Sequence, residues 1–386
     1  MTEPEQIGES LESIVSAQIS RFLASNRVSP LIGSERRTFL RQLSDLLSHS
    51  GWLKISQLEI DGHPVAWNYG FRFGGSWFWY LPTFHMEYEH VSPGSCLLRL
   101  MVEEGARDAS LQWRDLGLGD EAYKERFANN SRETRYVHLS RGFKRHVASL
   151  ARQTLTRTAA RFPQAGDKLR EARAFYQLAA SHIQETGVVA TARYSIQRAL
   201  RPLASQDEVL LFEAPEPRSP EDQAVKLLTL TREHLVEASI SNAGDSQTLR
   251  YLMRCANRLT NPGASGFLLQ DQAGRPIHFL WITNYDGFSL AEICHSIEPS
   301  SPSAAMIFDC WTPASDRGHG HYAAAIRQAA ANLRQEGRSA WIFSGAKNAS
   351  SLRGILKAGF TYRYSLVRRS RLGRAAITRH DSTKAI

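Results

Sequence analysis

A chain of 386 residues exceeds the usual span of one hydrophobic core, so two domains are expected. With 42% hydrophobic and 22% charged residues it is neither a low-complexity nor a fibrous sequence, and its four scattered cysteines, Cys96, Cys255, Cys294 and Cys310, exclude a zinc-ligand spacing or a local disulfide framework. No apolar run approaches the roughly 20 residues of a membrane helix, the polar stretch Met1 to Ser10 points to a cytoplasmic protein, and a formal charge of +9 favours anionic ligands or marks a solvated basic surface.

Apolar residues recur at helical spacing over Leu11 to Leu23 and Glu35 to Leu47, the second run with Ser34 as a candidate N-cap. Alternation then predicts strands at Leu53 to Ile60, His63 to Phe73 and Ser76 to Leu81, joined by Asp61-Gly62 and Gly74-Gly75 turns into an antiparallel meander. Ser92-Pro93-Gly94-Ser95 opens a helix through about Gly105, and Leu111 to Leu116 reads as a further strand. Residues Gly142 to Leu203 carry no strand alternation and read as helices. The prolines around Ala214 to Glu221 suit a linker.

A second cycle follows. A helix is expected from Ser219 to about Ser239 and another from Gln247 to Leu259, then strands at Gly266 to Gln270, Pro276 to Thr283, Gly287 to Ile293 and Ala304 to Trp311. A glycine loop, Arg317-Gly318-His319-Gly320-His321-Tyr322, enters a helix over His321 to Gln335. The strand Ser339 to Phe343, a helix begun by Asn348 and a strand Phe360 to Val367 come last, and the arginine-rich tail from Arg363 to His380 reads as a frayed basic end. Small residues before a helix let backbone N–H groups approach an anion, and the helix N-terminus adds positive potential.

The loop at Arg317 and Gly320, followed by Asn348 and Gly359-Phe360, resembles the GNAT superfamily of N-acyltransferases. The segment Gly119-Asp120-x-x-Tyr123-Lys124 resembles the signature of CelD-like acyltransferases, and that likeness covers roughly Arg36 to Phe127. The resemblance implies an α/β (α+β) chain of two tandem GNAT-like domains, each a mixed, largely antiparallel sheet flanked by helices. Residues 1–145 would be the CelD-like copy, 146–213 a helical connector and 214–386 the second copy.

The implied reaction is direct transfer of an acyl group from acyl-CoA, with acetyl-CoA the expected co-substrate, to an amine, for which an amino-sugar or an exopolysaccharide precursor is the expected acceptor. In the second copy Arg317, Gly318, Gly320, His321 and Asn348 would hold the cofactor, and Asp309 is a candidate base, unless it simply pairs with an arginine. In the first, Ser92, Gly94 and Ser95 would form the phosphate loop, and Lys124 would bind phosphate. Glu87, sharing a strand face with His85, would serve as base, or would only face solvent. Tyr123 would protonate the thiolate or orient substrate; the alternative is that it packs beneath a helix.

Many GNAT enzymes carry a tyrosine seven residues after the asparagine. Here that position is Ile355, which leaves Tyr362 or Tyr364 as substitutes. No metal site and no DNA partner are expected. A Fem-type transferase using aminoacyl-tRNA and a non-catalytic scaffold are the competing readings.

Overall fold

The computed structural model describes residues 4–119, 121–135, 137, 204–214, 225–297, 303–371 and 374–381. The helices expected over 142–203 and the Ser219 cap lie outside these residues. The chain divides into two compact units, one made of 1–131, 208–366 and 379–386, the other of 132–207 and 367–378. In the second unit Thr378 Oγ1 donates to the Val367 carbonyl at 3.4 Å.

The first unit opens with α1 (Pro4–Ala24) and α2 (Ser34–His49), the latter capped by Gly33 with Ser34 as its first residue. A meander follows: β1 (Leu53–Ile60), β2 (His63–Phe73) and β3 (Ser76–Phe84). Asp61 and Gly62, and then Gly74 and Gly75, all have positive φ, the backbone twist that two-residue hairpins require. Next come α3 (Pro93–Arg107) and β4 (Trp113–Asp115), which lies parallel to β3 at the sheet edge. Alternation sorts the faces: Leu53, Ile55, Trp67 and Tyr69 pack with α1 and α2, while Ala66, Trp77 and Trp79 pack with Leu97, Leu98 and Met101 of α3.

The later part builds one eight-stranded sheet in the order β14-β13-β5-β12-β11-β8-β7-β6. Its strands are β5 (Ala204–Glu213), β6 (Leu228–Thr229), β7 (Ala264–Gln270), β8 (Pro276–Asn284), β11 (Ala304–Trp311), β12 (Ser339–Gly345), β13 (Thr361–Arg371) and β14 (Arg374–Asp381). A small separate hairpin pairs β9 (Ser289–Leu290) with β10 (His295–Ser296) where one strand was expected. The helices are α4 (Arg232–Ser241), α5 (Ser246–Arg258), α6 (His321–Gln335) and α7 (Ala349–Lys357).

Several expectations are corrected. The helix expected from Ser219 begins at Arg232, where Thr231 and His234 form a reciprocal cap, and Leu228–Thr229 before it is an edge strand. The basic tail is not frayed: Arg374–Asp381 is the last strand of the sheet, and the Tyr362 hydroxyl reaches the His380 carbonyl at 3.5 Å. Residues 204–213, counted with the helical connector, are a strand that precedes the second copy in sequence yet sits inside its sheet. There β5 pairs antiparallel with β12 from Trp341↔Glu213 to Gly345↔Val209.

One core runs through both parts. Ile14, Val15, Ala17 and Ile19 of α1 are buried together with Leu235, Tyr251, Leu252, Phe279 and Trp281 from α4, α5 and β8. That explains why α1 is buried around most of its circumference, as a helix covered on two sides must be. On the opposite face of the large sheet, Leu280, Ile282, Ala305, Ile307 and Ile342 pack against Ala325, Ile326, Ala329 and Leu333 of α6 and Ile355 of α7.

Candidate active site

Two parallel strands that part create a cleft, and the eight-stranded and four-stranded sheets each contain one such place. In the large sheet β11 and β12 pair from Ala304↔Ser339 to Ile307↔Ile342 and no further. A bulge in β11 makes them part. Its register with β8 jumps between Phe308 and Trp311, and Asp309 has φ +46°, in the left-handed region that aspartate tolerates better than most residues. Helix α5 clamps this bulge: Tyr251 Oη donates to the Asp309 carbonyl at 2.8 Å, and Arg258 Nη1 lies 2.6 Å from Asp309 Oδ2. Asp309 is therefore spent on an ion pair, with Arg254 a second cation 3.8 Å away, and the expectation of a free base there is corrected.

Beyond the bulge the chain turns through Ala314–Asp316 into the glycine loop. Asp316 is buried and accepts from both terminal nitrogens of Arg275, at 2.7 and 3.1 Å, and Arg275 also bonds Asp271 in the β7–β8 turn. Burial opposes ionisation of Asp316, but the Arg275 and Ser315 hydrogen bonds outweigh it and hold its pKa below the usual carboxylate range. The loop is thus pinned to a rigid hairpin. Gly318 and Gly320 have φ +88° and +83°, conformations an L-residue would resist.

With that geometry the backbone N–H groups of Arg317 through Ala323 donate to no backbone or side-chain acceptor among the described residues; the first to do so is Ala324, to the Gly320 carbonyl at 3.1 Å. A run of unspent donors at a helix N-terminus is an anion cradle. The Arg317 guanidinium itself turns aside, stacking 5.2 Å from the Trp311 ring and donating to the Thr312 carbonyl at 3.1 Å. His319 and His321 stack at 5.7 Å, and burial, then the neighbouring His319, lowers the pKa of His321 so that it stays neutral near neutral pH. Asn348 is the N-cap of α7: its carboxamide oxygen accepts from Ser351 N and Ser350 Oγ.

The small sheet parts after Phe78↔Asp115, yet its loop is closed. Pro93 has no N–H, and the amides of Ser95 and Cys96 both donate to the Ser92 carbonyl, at 3.0 and 3.2 Å, which leaves Gly94 as the unspent donor. A Cβ on Gly94 would lie 3.4 Å from the Phe84 ring, so an aromatic side chain covers this loop. His85 caps a 3-10 helix, Met86–Val91, that contains Glu87; the two do not share a strand face, and Glu87 is exposed. Tyr123 packs half-buried against the cluster of Trp77, Trp79 and Leu97.

Lys124 is not available to phosphate. Its ammonium donates to the carbonyls of Gly117, Leu118 and Gly119, at 3.3, 2.7 and 3.3 Å, and pairs with Glu121 at 2.7 Å. Lys124→Met is expected to cost about 2 kcal/mol in urea unfolding, because the charged hydrogen bonds of a side chain only 11% exposed are lost, and to leave acyl-CoA binding unchanged.

Sequence reasoning missed Arg275, Tyr251, Arg258 and Ser351. Only Asp271-x-x-x-Arg275 carried a local signal, as a turn stapled by its own ion pair. A cavity of about 300 Å³, lined among others by Leu227, Gly263, Asn284, Leu333 and Arg338, lies at the other end of α6, away from the glycine loop. Among the described residues no helix is long and apolar enough to cross a membrane, and no group of His, Cys, Asp and Glu side chains could hold a metal.

Residues 15–125 match the family model described as an acetyltransferase (GNAT) domain. No curated protein matches the chain. Among solved structures it is similar to a protein of Novosphingobium aromaticivorans assigned to the GNAT acetyltransferases, at 18% identity over 47% of this chain and 69% of that one with a TM-score of 0.30. It is also similar to a GNAT-family acetyltransferase of Colwellia psychrerythraea, at 10% identity over 85% of each chain and a TM-score of 0.31. A third is the aminoglycoside acetyltransferase AAC(6')-Ib in complex with coenzyme A and kanamycin, at 18% identity over 41% of this chain and 95% of that one with a TM-score of 0.29. A mixed α/β architecture with two helix-flanked sheets thus holds, over residues 15–125, a segment similar to the acetyltransferase (GNAT) domain model.

Proposed function

We propose that this chain is an N-acyltransferase that takes an acyl group from acyl-CoA, acetyl-CoA first among them, and passes it by direct attack to the amine of a small acceptor. The observation that carries this reading is the run of unspent amides from Arg317 to Ala323 at the mouth of the parted strands β11 and β12. A pyrophosphate satisfies such donors, and the gap between the strands offers backbone groups to an extended pantetheine arm. The cofactor therefore belongs to the later sheet, although the family match falls on the earlier one.

In this reading the two sheets mark tandem GNAT-like domains, the second of which takes in β5. The first serves as a scaffold, since its loop amides are spent, Phe84 covers its glycine, and its helix α1 is built into the core beneath the second cleft. The CelD-like segment now supports a packing role for Tyr123 and Lys124. An amino-sugar or envelope-precursor acceptor, met in the cytoplasm, is the narrower form of the proposal. Holding donor and amine together converts a bimolecular reaction into a local one, and the pinned loop fixes the donor's end of that geometry.

Thermal unfolding with and without acetyl-CoA tests the assignment. A ligand held only by the folded state at about 100 times its Kd adds about 2.7 kcal/mol of apparent stability. Wild type and Gly94→Glu should show the shift, and Gly320→Glu, which places a carboxylate and a side chain in the cradle, should lose it. The reverse pattern would move the site to the earlier sheet. No shift with any acyl-CoA would sink the proposal.

A further inference from the structure

We propose that Phe288 sets the length of the acyl group this chain accepts and restricts the donor to short thioesters, acetyl- and propionyl-CoA; this rests on the acyl-CoA reading above. The cleft between β11 and β12 closes at the pair Ile307↔Ile342. Phe308 and Phe343 are the next residues on the two strands, and the Phe288 ring lies across both, 5.2 Å from the first and 5.5 Å from the second. A side chain from outside both strands therefore spans the gap where it begins.

The face it covers follows from alternation. Ile307 and Ile342 point to α6 and are buried there with Ala325, Ile326 and Ala329. Phe308 and Phe343 point the other way, and Phe308 packs toward the core that holds Tyr251 and Trp281. From Phe308 to the turn at Thr312 the parted chain runs about 13 Å, at roughly 3.3 Å per residue, a distance that an extended pantetheine arm anchored at the glycine loop covers. Its thioester then comes to rest beside Phe308. An acyl chain there meets close-packed core on the α6 side and three phenyl rings on the other, so each further methylene has to displace a ring.

The rings are held in place. Phe288 stands at the neck of the β9–β10 hairpin, where its amide donates to the Tyr285 carbonyl at 3.1 Å and its carbonyl accepts from the Ile297 amide at 2.9 Å. Tyr285, Leu290, Ile293 and Ile297 around it are buried, and the Tyr285 hydroxyl meets that of Tyr364 at 2.5 Å. Phe308 is backed by the Arg258 guanidinium, 5.0 Å from its ring and itself paired with Asp309. A wall fixed by such contacts discriminates by size, whereas a loose one would yield. All three rings are half-buried, so removing one opens the closure outward instead of leaving a sealed void.

Calorimetric titration of the whole chain with coenzyme A and with its acetyl, butyryl and octanoyl thioesters tests this. A methylene too many in an apolar site costs on the order of tenfold or more, so wild type should bind acetyl-CoA at least that much more tightly than butyryl-CoA, and octanoyl-CoA more weakly still. Phe288→Ala should erase most of the difference for both longer chains. Phe288→Leu, smaller than phenylalanine but still apolar, should lift the limit for butyryl-CoA alone, and it carries the comparison if circular dichroism shows the alanine variant unfolded. A wild type indifferent to chain length overturns the proposal, and so does an unchanged acetyl-to-butyryl ratio in every folded variant. Loss of coenzyme A binding in a folded variant overturns it too, since Phe288 would then prop the cradle and not wall the acyl end. Failure of wild type to bind coenzyme A or any thioester sinks the acyl-CoA reading itself, and that outcome is read before any variant is compared.

Discussion

Leu211→Pro is expected to unfold the large sheet and leave little soluble chain. Leu211 is fully buried in β5, opposite Phe343 of β12, and its neighbours Val209 and Phe212 are buried too, on the two faces of the strand. Proline there removes an amide donor in the middle of a sheet and sets its ring against the neighbouring strand, which is why proline is confined to edge strands and bulges. The missing leucine side chain adds about 2 to 5 kcal/mol through the cavity it leaves. The cavity alone reaches the lower end of the typical stability of a domain, about 5 to 15 kcal/mol, and the lost ladder bond adds to it. Leu211→Ala separates the two contributions, because it creates the cavity and keeps the amide. Urea unfolding should place the alanine variant within the cavity range. A proline variant as stable as the alanine one would show that β5 is dispensable to the sheet.

Acid should weaken the fold through His278. This imidazole is fully buried in β8, with Nδ1 2.8 Å from the Thr312 hydroxyl, Nε2 without a partner, and the Tyr322 ring 5.8 Å away. Burial, helped by His321, lowers its pKa from 6.5 to about 3. Above the ordinary value both folded and unfolded chains hold it neutral, and its contribution is complete. As pH falls below that value the unfolded chain takes up a proton that the folded chain refuses until about pH 3. Stability is therefore lost across that window, at about 1.4 kcal/mol per pH unit from this one group. Between pH 6.5 and about pH 4.5 the loss is about 2 kcal/mol, since the unfolded imidazole is only half protonated at its ordinary value. Urea unfolding at both values, on wild type and on His278→Gln, isolates the effect, since the other titrating groups cancel in the difference. Equal losses in the two proteins would show that the imidazole is not held neutral.

Much of the framework was legible in the residues. The Asp61-Gly62 and Gly74-Gly75 turns, the alternation of β1 to β3 and the helix over His321 to Gln335 are local signals, and the structure places them where those signals do. Asn348 was legible as a cap for the same reason: its carboxamide meets the amide three residues on. The roles of single side chains were less legible, since a motif names residue types and not their partners. Lys124 sits in a recognisable signature and yet donates to three carbonyls of its own turn. Asp309 occupies the strand end expected of a base, but two arginines one turn apart on α5, Arg254 and Arg258, neutralise it.

What the sequence by itself determined is local: the hairpin turns, most of the helices, the Asn348 cap, and the glycines that free the loop amides, because each depends on residues a few positions apart. The tertiary structure alone decided what depends on distant partners. It placed β5 inside a sheet that begins later in the chain and joined α1 to the core of α4 and α5. It closed the loop of the small sheet by turning its amides onto Ser92 while Arg275 held the other loop open. It also brought the Tyr322 hydroxyl to Ser351 across the space that Gly354 leaves. Periodicity and turn chemistry act along the chain, whereas burial and hydrogen-bond competition act between segments, and it is the second set that separates an open cradle from a closed one.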